Sequence, residues 1–332
     1  MRVTRSFELL GCHPLPKNHR CVDINLFNFD SLGGRMFAFG DRNIHVTRYI
    51  QNLRGGSQPI LAQASDGLLY VVKFFNNLQG VNLLFNESAG SELYRACGLA
   101  GPSWKPLLVT DTFIDQNRDC WMQTPEGRLR PTSGLCFGSR FLGGDGIRLL
   151  EILPGTKLNR VRNHMSFWLA WLIDICAAHT DNRQAIFLED NAGWMDAFFV
   201  DHGHLFGGPK GEQRLNFRAS RYLDPRIYQS ISSEQLLSIQ KRAEDLNMDR
   251  LWRRIDTLPD QWKTDSALDG FAECLCKLST PKLLRNVLDT MMDAQRQANE
   301  REERRYSNER KPPISVLCPG VYAEGTGQCF VA

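Results

Sequence analysis

Short stretches of alternating or continuous apolar residues dominate the chain between residues 44 and 142. They predict β-strands at residues 44–50, 59–64, 68–75, 106–113 and 135–142. The second and third stretches are separated by Ser65-Asp66-Gly67, which is typical of a hairpin turn. Residues 83–97 instead carry apolar side chains at helical spacing and are followed by Gly98, which can cap a helix. This part of the chain is therefore predicted to be rich in β-strands, with one main helix.

The pattern becomes mostly helical after the glycine-rich Gly143-Gly144-Asp145-Gly146. Residues 166–178 are apolar and rich in tryptophan, which predicts a buried helix with Trp168 and Trp171 in the core. Ser232 and Gln235 have the spacing of a capping box. Further helices are predicted at residues 232–247, 248–255, 264–278 and 281–305.

These patterns predict an α+β fold with two lobes. We expect a β-rich N-lobe at residues 44–143 and a mostly helical C-lobe at residues 144–306. Residues 1–43 show no clear period and are assigned to an N-terminal extension. Residues 307–332, with Pro312-Pro313 and several glycines, are predicted to be a flexible C-terminal tail.

Two short apolar runs, residues 185–188 and 197–200, interrupt the helical half. A Glu-Asp-Asn-Ala-Gly turn joins them, which predicts a β-hairpin. A carboxylate lies just outside each end, because Asp181 precedes the first run and Asp201 follows the second. Two acids beside one pocket are what a metal-phosphate site requires.

Composition narrows the class of protein without naming a partner. With 332 residues the chain can form a substantial core, and 42% hydrophobic and 23% charged residues are ordinary for a soluble globular protein. The formal charge of +3 is too small to indicate direct nucleic-acid binding, and no apolar run approaches the about 18 residues of a membrane span. We therefore expect a cytoplasmic protein without a membrane partner. The ten cysteines are scattered, which favours reduced thiols.

A lysine interrupts one of the predicted buried strands. Lys73 lies in the apolar run 68–75, after the Gly55-Gly56 turn and before the helix at 83–97. That helix carries two acids, Glu87 and Glu92, and either one could reach the lysine.

Several segments follow one another in a fixed order along the chain: R-G-G-S-Q-P-I-L-A (54–62), D-G-L-L-Y-V-V-K-F (66–74), N-E with its helix ending in G-L (86–99), F-G-S-R-F-L-G-G-D (137–145), H-T-D-N-R-Q-A-I-F (179–187), V-D-H-G-H-L-F (200–206), R-Y-L-D-P-R-I-Y (221–228) and L-P-D-Q-W (258–262). Their order and spacing resemble a protein-kinase-like bilobal fold and, more closely, a HipA-like kinase domain. The resemblance covers roughly residues 44 to 265.

The resemblance implies ATP and Mg²⁺ as cofactors and assigns a role to four charged residues. Lys73 would contact the α- and β-phosphates and be held by Glu87. Asp181 would accept the proton of the phosphate acceptor or orient its hydroxyl, and Asp201 would bind Mg²⁺.

The resemblance also assigns the phosphate-binding turn and exposes a departure from the family pattern. Gly55-Gly56-Ser57 would present backbone N–H groups to phosphate oxygens, and residues 137–144 would form the connection that supports adenine. Kinase-like loops carry a metal-binding Asn five residues beyond the catalytic aspartate, where this chain has Ile186. Gln184, or Asn182, is the amide available to replace it as a metal and cofactor ligand.

Several functional hypotheses stay open at this point. The first is a kinase that phosphorylates a protein Ser or Thr; the resemblance also implies a possible antitoxin-like partner, while the protein acceptor is unidentified. The second is a nucleotide-binding pseudokinase or scaffold, because Ile186 stands where kinase-like loops carry the metal-binding Asn. The third is a transition-metal hydrolase, and the last is a purely structural hairpin. The ligands of the hydrolase would be His179, Asp181, Asp201, His202 and His204.

Three side chains near the hairpin have a simpler interpretation. Arg183 is expected to clamp a nearby carboxylate or a backbone carbonyl rather than to act in catalysis. His202 and His204 are two residues apart, so one is expected to pack in the interior and the other to face the pocket.

Overall fold

The structure, a computed structural model, describes residues 44–144, 148–211, 220–228 and 231–309. The chain divides into two compact units, the first ending at Leu288 and the second beginning at Asp289. The described strands all belong to the first unit, so the account of the fold concentrates on it.

Strands dominate the N-terminal part of the first unit. They are β1 (Val46–Asn52), β2 (Ile60–Ala64), β3 (Leu69–Lys73), β4 (Trp104–Val109), β5 (Met122–Thr124), β6 (Gly127–Leu129) and β7 (Gly134–Arg140). Five of them form an antiparallel sheet in the order β1-β2-β3-β7-β4, and β5 pairs with β6 as a separate hairpin. One face of the large sheet covers an apolar core that includes Ile60, Ala62, Tyr70, Val72, Leu107 and Val109.

The five predicted strands of this part all occur, but one of them was predicted too long. β4 ends at Val109, and the residues predicted to continue it form the short helix α2 (Asp111–Gln116). The side chain of Thr110 accepts a hydrogen bond from the backbone N–H of Phe113 and so caps this helix. A capping hydroxyl followed by an acidic first turn favours a helix start over a continued strand.

The main helix of this part is α1 (Leu83–Ala96), as predicted. It buries polar as well as apolar side chains, among them Asn86, Glu87, Ser88 and Glu92. Buried polar groups are costly unless they are paired, so the polar face of α1 requires partners from other elements.

The predicted hairpin is confirmed and belongs to a small sheet. β8 (Arg148–Leu150), β9 (Gln184–Glu189) and β10 (Met195–Val200) follow one another in the order β10-β9-β8. In the β9–β10 hairpin Gln184 pairs with Val200, so the start of β9 lies beside the end of β10. The sequence analysis did not predict β8, whose three residues are too few to show a period.

Helices dominate the rest of the chain. They are α3 (Ser166–Cys176), α4 (Ser233–Glu244), α5 (Met248–Asp256), α6 (Asp265–Ser279) and α7 (Pro281–Glu309). The capping box of Ser232 and Gln235 is formed, and Trp168 and Trp171 are both buried. Both observations confirm the sequence predictions.

The outer segments are mostly beyond what the structure describes. The predicted N-terminal extension (1–43) lies outside the described residues, as does the predicted tail apart from residues 307–309, which continue α7. Six cysteines of the described segments are free thiols. Across these same segments, no helix is both long and apolar enough to span a membrane.

Candidate active site

The site is organised around Lys73, the last residue of β3. Its ammonium group is buried and donates hydrogen bonds to Glu87 of α1 and to Asp201, the latter at 2.7 Å from Nζ to Oδ1. The sequence analysis left open whether Glu87 or Glu92 pairs with Lys73, and in the structure the partner is Glu87. Glu92 is engaged elsewhere, because it pairs with Arg95 and accepts a hydrogen bond from the Trp104 indole.

The charges of this cluster stabilise one another. Burial lowers the pKa of Lys73, but the charges of Asp201 and Glu87 outweigh it and raise that pKa above its ordinary value. Burial raises the pKa of Asp201, but the charge and hydrogen bond of Lys73 outweigh burial and bring it well below its usual range. Burial also raises the pKa of Glu87 to about 7, against the opposing charge of Lys73. At neutral pH the cluster therefore contains a charged lysine and an ionised Asp201.

Helix α1 also grips the backbone that follows Asp201. The Glu87 carboxylate accepts hydrogen bonds from the N–H groups of His202, at 3.1 Å, and of Gly203, at 3.0 Å. The neighbouring Asn86 amide donates to the carbonyls of Gly203, at 2.9 Å, and of Leu205, at 2.8 Å. These bonds supply partners for the Glu87 carboxylate and for the Asn86 amide nitrogen, and they fix the segment that carries Asp201.

Asp201 adopts an uncommon backbone conformation. Its φ of 59° lies in the left-handed region, which residues other than glycine rarely adopt. Such conformations cluster at functional sites, where the surrounding contacts hold them in place. About a quarter of the Asp201 side chain is exposed (27%), so the carboxylate is accessible as well as fixed.

Asp181 lies in the loop between α3 and β9. Its side chain is half-buried, and Oδ1 accepts a hydrogen bond from the Asn182 N–H at 2.7 Å. Thr180 N–H donates to the His204 carbonyl at 3.0 Å, which ties this loop to the segment after Asp201. The described contacts do not include one from Asp181 to Lys73, Glu87 or Asp201.

The glycine turn lies between β1 and β2. Gly55 has a φ of 129°, and its carbonyl accepts a hydrogen bond from Gln58 at 3.1 Å, which closes the turn. Within the part of the chain that the structure describes, the N–H groups of Gly55, Gly56 and Ser57 donate to no acceptor. A run of free backbone N–H groups is suited to phosphate oxygens.

A contact chain connects the glycine turn with the loop of Asp181. A Cβ on Gly56 would lie 2.8 Å from Nε2 of Gln79, so the turn packs directly on that amide. Gln79 Nε2 lies 3.1 Å from Nε2 of His204, whose Nδ1 lies 3.0 Å from the hydroxyl of Thr180. The turn and the Asp181 loop are therefore neighbours in space.

The two histidines after Asp201 differ in environment, as expected. His202 is buried with its ring 4.4 Å from that of Tyr94, whereas His204 is half-buried and contacts Thr180. Burial holds the pKa values of His202 and His179 well below the usual range. The described residues contain no group of three or more His, Cys, Asp or Glu side chains placed to hold one metal ion, so the ligand set of the hydrolase hypothesis is not assembled.

Gln184 begins β9 and pairs with Val200, the residue before Asp201. Ile186, which occupies the expected Asn position, pairs with Phe198 further along the hairpin. Because side chains two residues apart point to the same face of a strand, Gln184 and Ile186 share a face, but only Gln184 lies at the end near Asp201. A carboxylate and an amide oxygen are the hard oxygen donors that suit Mg²⁺.

Residues that the sequence analysis did not single out complete the site. Asn86 fixes the segment after Asp201, and Gln79 supports the glycine turn. Tyr94 and Asp174 form a buried network with Arg183. A signal for Asp174 was present, since it is the single charged residue in the apolar stretch 166–178. Only the fold brings Asn86, Gln79 and Tyr94 to their partners.

These features define a protein-kinase-like fold. A five-stranded antiparallel sheet supplies a lysine, one helix supplies its glutamate, and a β-hairpin is flanked by two aspartates.

Comparisons with known proteins give remote likenesses. Neither a family model nor a curated protein matches the chain. A solved Helicobacter pylori proinflammatory kinase, CtkA, is 13% identical with a TM-score of 0.47, covering 74% of this chain and 96% of that one. A Golgi casein kinase with Mn and ADP bound is 13% identical with a TM-score of 0.39, covering 73% of each chain. A hydra Fam20 is 12% identical with a TM-score of 0.41, covering 77% of this chain and 88% of that one. The fold class rests on the geometry above.

Proposed function

We propose that this protein is an ATP- and Mg²⁺-dependent phosphotransferase of the HipA-like kind, which acts in the cytoplasm on a Ser or Thr hydroxyl of another protein. The observation that carries the proposal is the buried ammonium of Lys73, paired with carboxylates from α1 and from the end of β10. A buried charge fixed in this way aims a cation at one place, which is what alignment of a triphosphate requires.

The side chains of the site would have separate roles in binding phosphate, binding metal and accepting a proton. Lys73 would contact phosphate oxygens, and the free N–H groups of residues 55–57 would bind others. Asp201, with the oxygen of Gln184, would hold Mg²⁺, which would neutralise charge on the phosphates. Asp181 would accept the proton of the acceptor hydroxyl at its carboxylate. The half-buried position of Asp181 leaves it able to meet an incoming substrate.

The test measures nucleotide binding and phosphate transfer separately. Purified protein is expected to be stabilised thermally by ADP with Mg²⁺ and to transfer label from ATP to itself or to an acceptor protein. Asp201→Asn should lose transfer and the part of the stabilisation that depends on Mg²⁺, whereas Asp181→Asn should bind nucleotide with Mg²⁺ but transfer little. Unchanged transfer in both variants would refute the assignment of roles.

Asp196→Asn is a matched control. Asp196 lies on β10, five residues before Asp201, but its carboxylate faces solvent and pairs with Arg162. A surface ion pair of this kind contributes about 0–1 kcal/mol, so both assays should give the wild-type result.

The second candidate is a nucleotide-binding pseudokinase. The observation in its favour is Ile186, whose apolar side chain stands where kinase-like loops carry a metal-binding amide. Stabilisation by ADP with Mg²⁺, without transfer to any of a broad set of acceptors, would select this candidate over the first.

A further inference from the structure

We propose that Tyr94, Asp174 and Arg183 form a buried clamp that positions Asp201 for metal binding. The inference rests on the proposed function, because it assigns these three as positioning residues for the metal ligand. They come from α1, α3 and the loop before β9, so the clamp joins three elements around the site.

The centre of the clamp is a fully buried ion pair. Arg183 donates from Nε to Asp174 Oδ2 at 2.8 Å and from Nη2 to Asp174 Oδ1 at 2.7 Å. Both side chains are 0% exposed. Two parallel bonds between a planar guanidinium and a carboxylate fix the orientation of the guanidinium as well as its position.

The remaining arm of the guanidinium reaches the strand end that carries Asp201. Nη1 of Arg183 donates to the carbonyl of Val200 at 3.0 Å and lies 3.4 Å from the carbonyl of Asp201. Asp201 has a φ of 59°, a conformation that external contacts must maintain. The bond from Arg183 acts on the peptide group just before that strained residue.

Tyr94 fixes the clamp from the other side. Its hydroxyl donates to Asp174 Oδ1 at 2.5 Å, and its ring lies 5.0 Å from the guanidinium of Arg183. Tyr94 lies two helical turns after Glu87, so both project from the same face of α1. The helix therefore holds the segment of Asp201 at two points, through Glu87 directly and through Tyr94 by way of the ion pair.

The physical chemistry favours positioning over stability as the role of this pair. Burying two charges is costly, and apolar side chains of similar volume often replace a buried ion pair without loss of stability. What apolar side chains cannot do is hold a particular carbonyl in a particular orientation. Arg183 also lies two residues after Asp181, so one guanidinium connects the loop of the catalytic acid with the strand of the metal ligand.

The experiment compares Tyr94→Phe and Asp174→Asn with the control Ile173→Val. Tyr94→Phe removes only the hydroxyl, and Asp174→Asn removes the charge at constant size. Ile173 is a buried neighbour on α3 without a polar side chain. Two quantities are measured in the full chain, the Mg²⁺ concentration for half-maximal ADP binding and the rate of backbone hydrogen exchange in residues 200–205 without ligand.

Loss of groups that orient metal ligands typically costs 10-fold to 100-fold in metal affinity. We expect the half-saturating Mg²⁺ concentration to rise by about 10-fold in Tyr94→Phe and by up to about 100-fold in Asp174→Asn. Exchange in residues 200–205 should accelerate in both, with neither quantity changed in Ile173→Val. If Asp174→Asn does not fold, Tyr94→Phe alone decides.

An unchanged Mg²⁺ requirement in Tyr94→Phe, or unchanged hydrogen exchange, overturns the clamp. If the wild-type protein binds no nucleotide with Mg²⁺, the proposed function fails. The exchange measurement needs no ligand and still decides in that case whether the three side chains hold the Asp201 segment.

Discussion

Replacing Lys73 by methionine should change the pH dependence of stability as well as remove function. In the wild-type protein the Lys73 ammonium lies between the carboxylates of Glu87 and Asp201. Methionine keeps much of the side-chain length but leaves two carboxylates without their shared cation. Breaking a buried ion pair by removing one partner costs about 3–5 kcal/mol, and we expect a loss of that size at pH 8.

The loss should shrink as the pH falls. Two carboxylates that share a site do not ionise together, so the variant should hold a proton with a raised pKa. A carboxyl with a raised folded-state pKa favours the folded state at low pH and loses that advantage as the pH rises. In the wild-type protein Lys73 brings the pKa of Asp201 below its usual range and limits the rise in the pKa of Glu87 to about 7, so its removal raises both pKa values. The wild-type protein therefore loses less stability than the variant as the pH rises from 5 to 8. The Asp201 shift acts in the opposite direction to a raised pKa. Its contribution is present at neutral pH and is lost only in strong acid. The two proteins should therefore be closest in stability near pH 5 and furthest apart near pH 8.

The assay is urea unfolding of both proteins at intervals between pH 5 and pH 8. Lys105→Met is the matched control, because Lys105 pairs with Asp66 at 3.1 Å at the surface. Such a pair contributes about 0–1 kcal/mol and should show little dependence on pH in this range. An equal loss of stability at pH 5 and pH 8 in Lys73→Met would contradict the reasoning.

Three further predictions concern neighbouring parts of the site. Burial lowers the pKa of His202 from its ordinary value of 6.5, so as the pH falls this histidine is protonated in the unfolded chain before it is protonated in the folded protein. The free energy of unfolding therefore decreases below about pH 6.5. His202→Phe should show a smaller drop in melting temperature than the wild-type protein between pH 7 and pH 5. A Cβ on Gly203 would lie 2.3 Å from a Leu83 methyl, so Gly203→Ala should lower the free energy of unfolding, measured in urea, by about 1–3 kcal/mol. Gly144→Ala is the control, because a Cβ there would have no atom within 4 Å and should leave the free energy of unfolding unchanged. Gln184→Ala should raise the Mg²⁺ concentration for half-maximal transfer by about 10-fold, and an unchanged requirement would remove Gln184 as a ligand.

The spacing of apolar and turn residues predicted most helices and strands. The errors, at β4 and β8, can be explained by the residues of those two segments themselves. The strands around Lys73 and the β9–β10 hairpin were predicted because apolar runs and turn residues mark them directly. β4 was predicted too long because the hydroxyl of Thr110, which starts a helix, outweighs the β-favouring residues after it. β8 was missed because three residues carry no measurable period.

The sequence predicted that Glu87 holds Lys73, but it did not predict the residues that support this contact. Lys73 stood out as a charge in an apolar strand, and the structure places Glu87 and Asp201 on it. Tyr94 resembles any apolar position of α1 in the sequence, and its role depends on Asp174, which is 80 residues further along the chain. A bond between such distant residues depends on tertiary packing, which helical periodicity does not report.

The shared use of Lys73 predicts that nucleotide and Mg²⁺ bind cooperatively under the proposed function. In the structure Asp201 accepts a hydrogen bond from Lys73 at 2.7 Å, and that bond would compete with metal binding by the same carboxylate. Phosphate oxygens that engage Lys73 would release Asp201 for the metal, and the metal at Asp201 would release Lys73 for phosphate. Each ligand therefore removes the cost of binding the other.

This coupling can be measured as a thermodynamic cycle. Mg²⁺ should strengthen ADP binding by about 5-fold to 150-fold, and ADP should strengthen Mg²⁺ binding by the same factor, because coupling between two ligands is reciprocal. Calorimetric titration of each ligand with and without the other gives both factors. Asp201→Asn weakens the bond to Lys73 and removes the metal ligand, so it should lose the coupling while ADP alone binds no more weakly. ADP binding that is equally tight with and without Mg²⁺ in the wild-type protein would show that Lys73 and Asp201 do not compete.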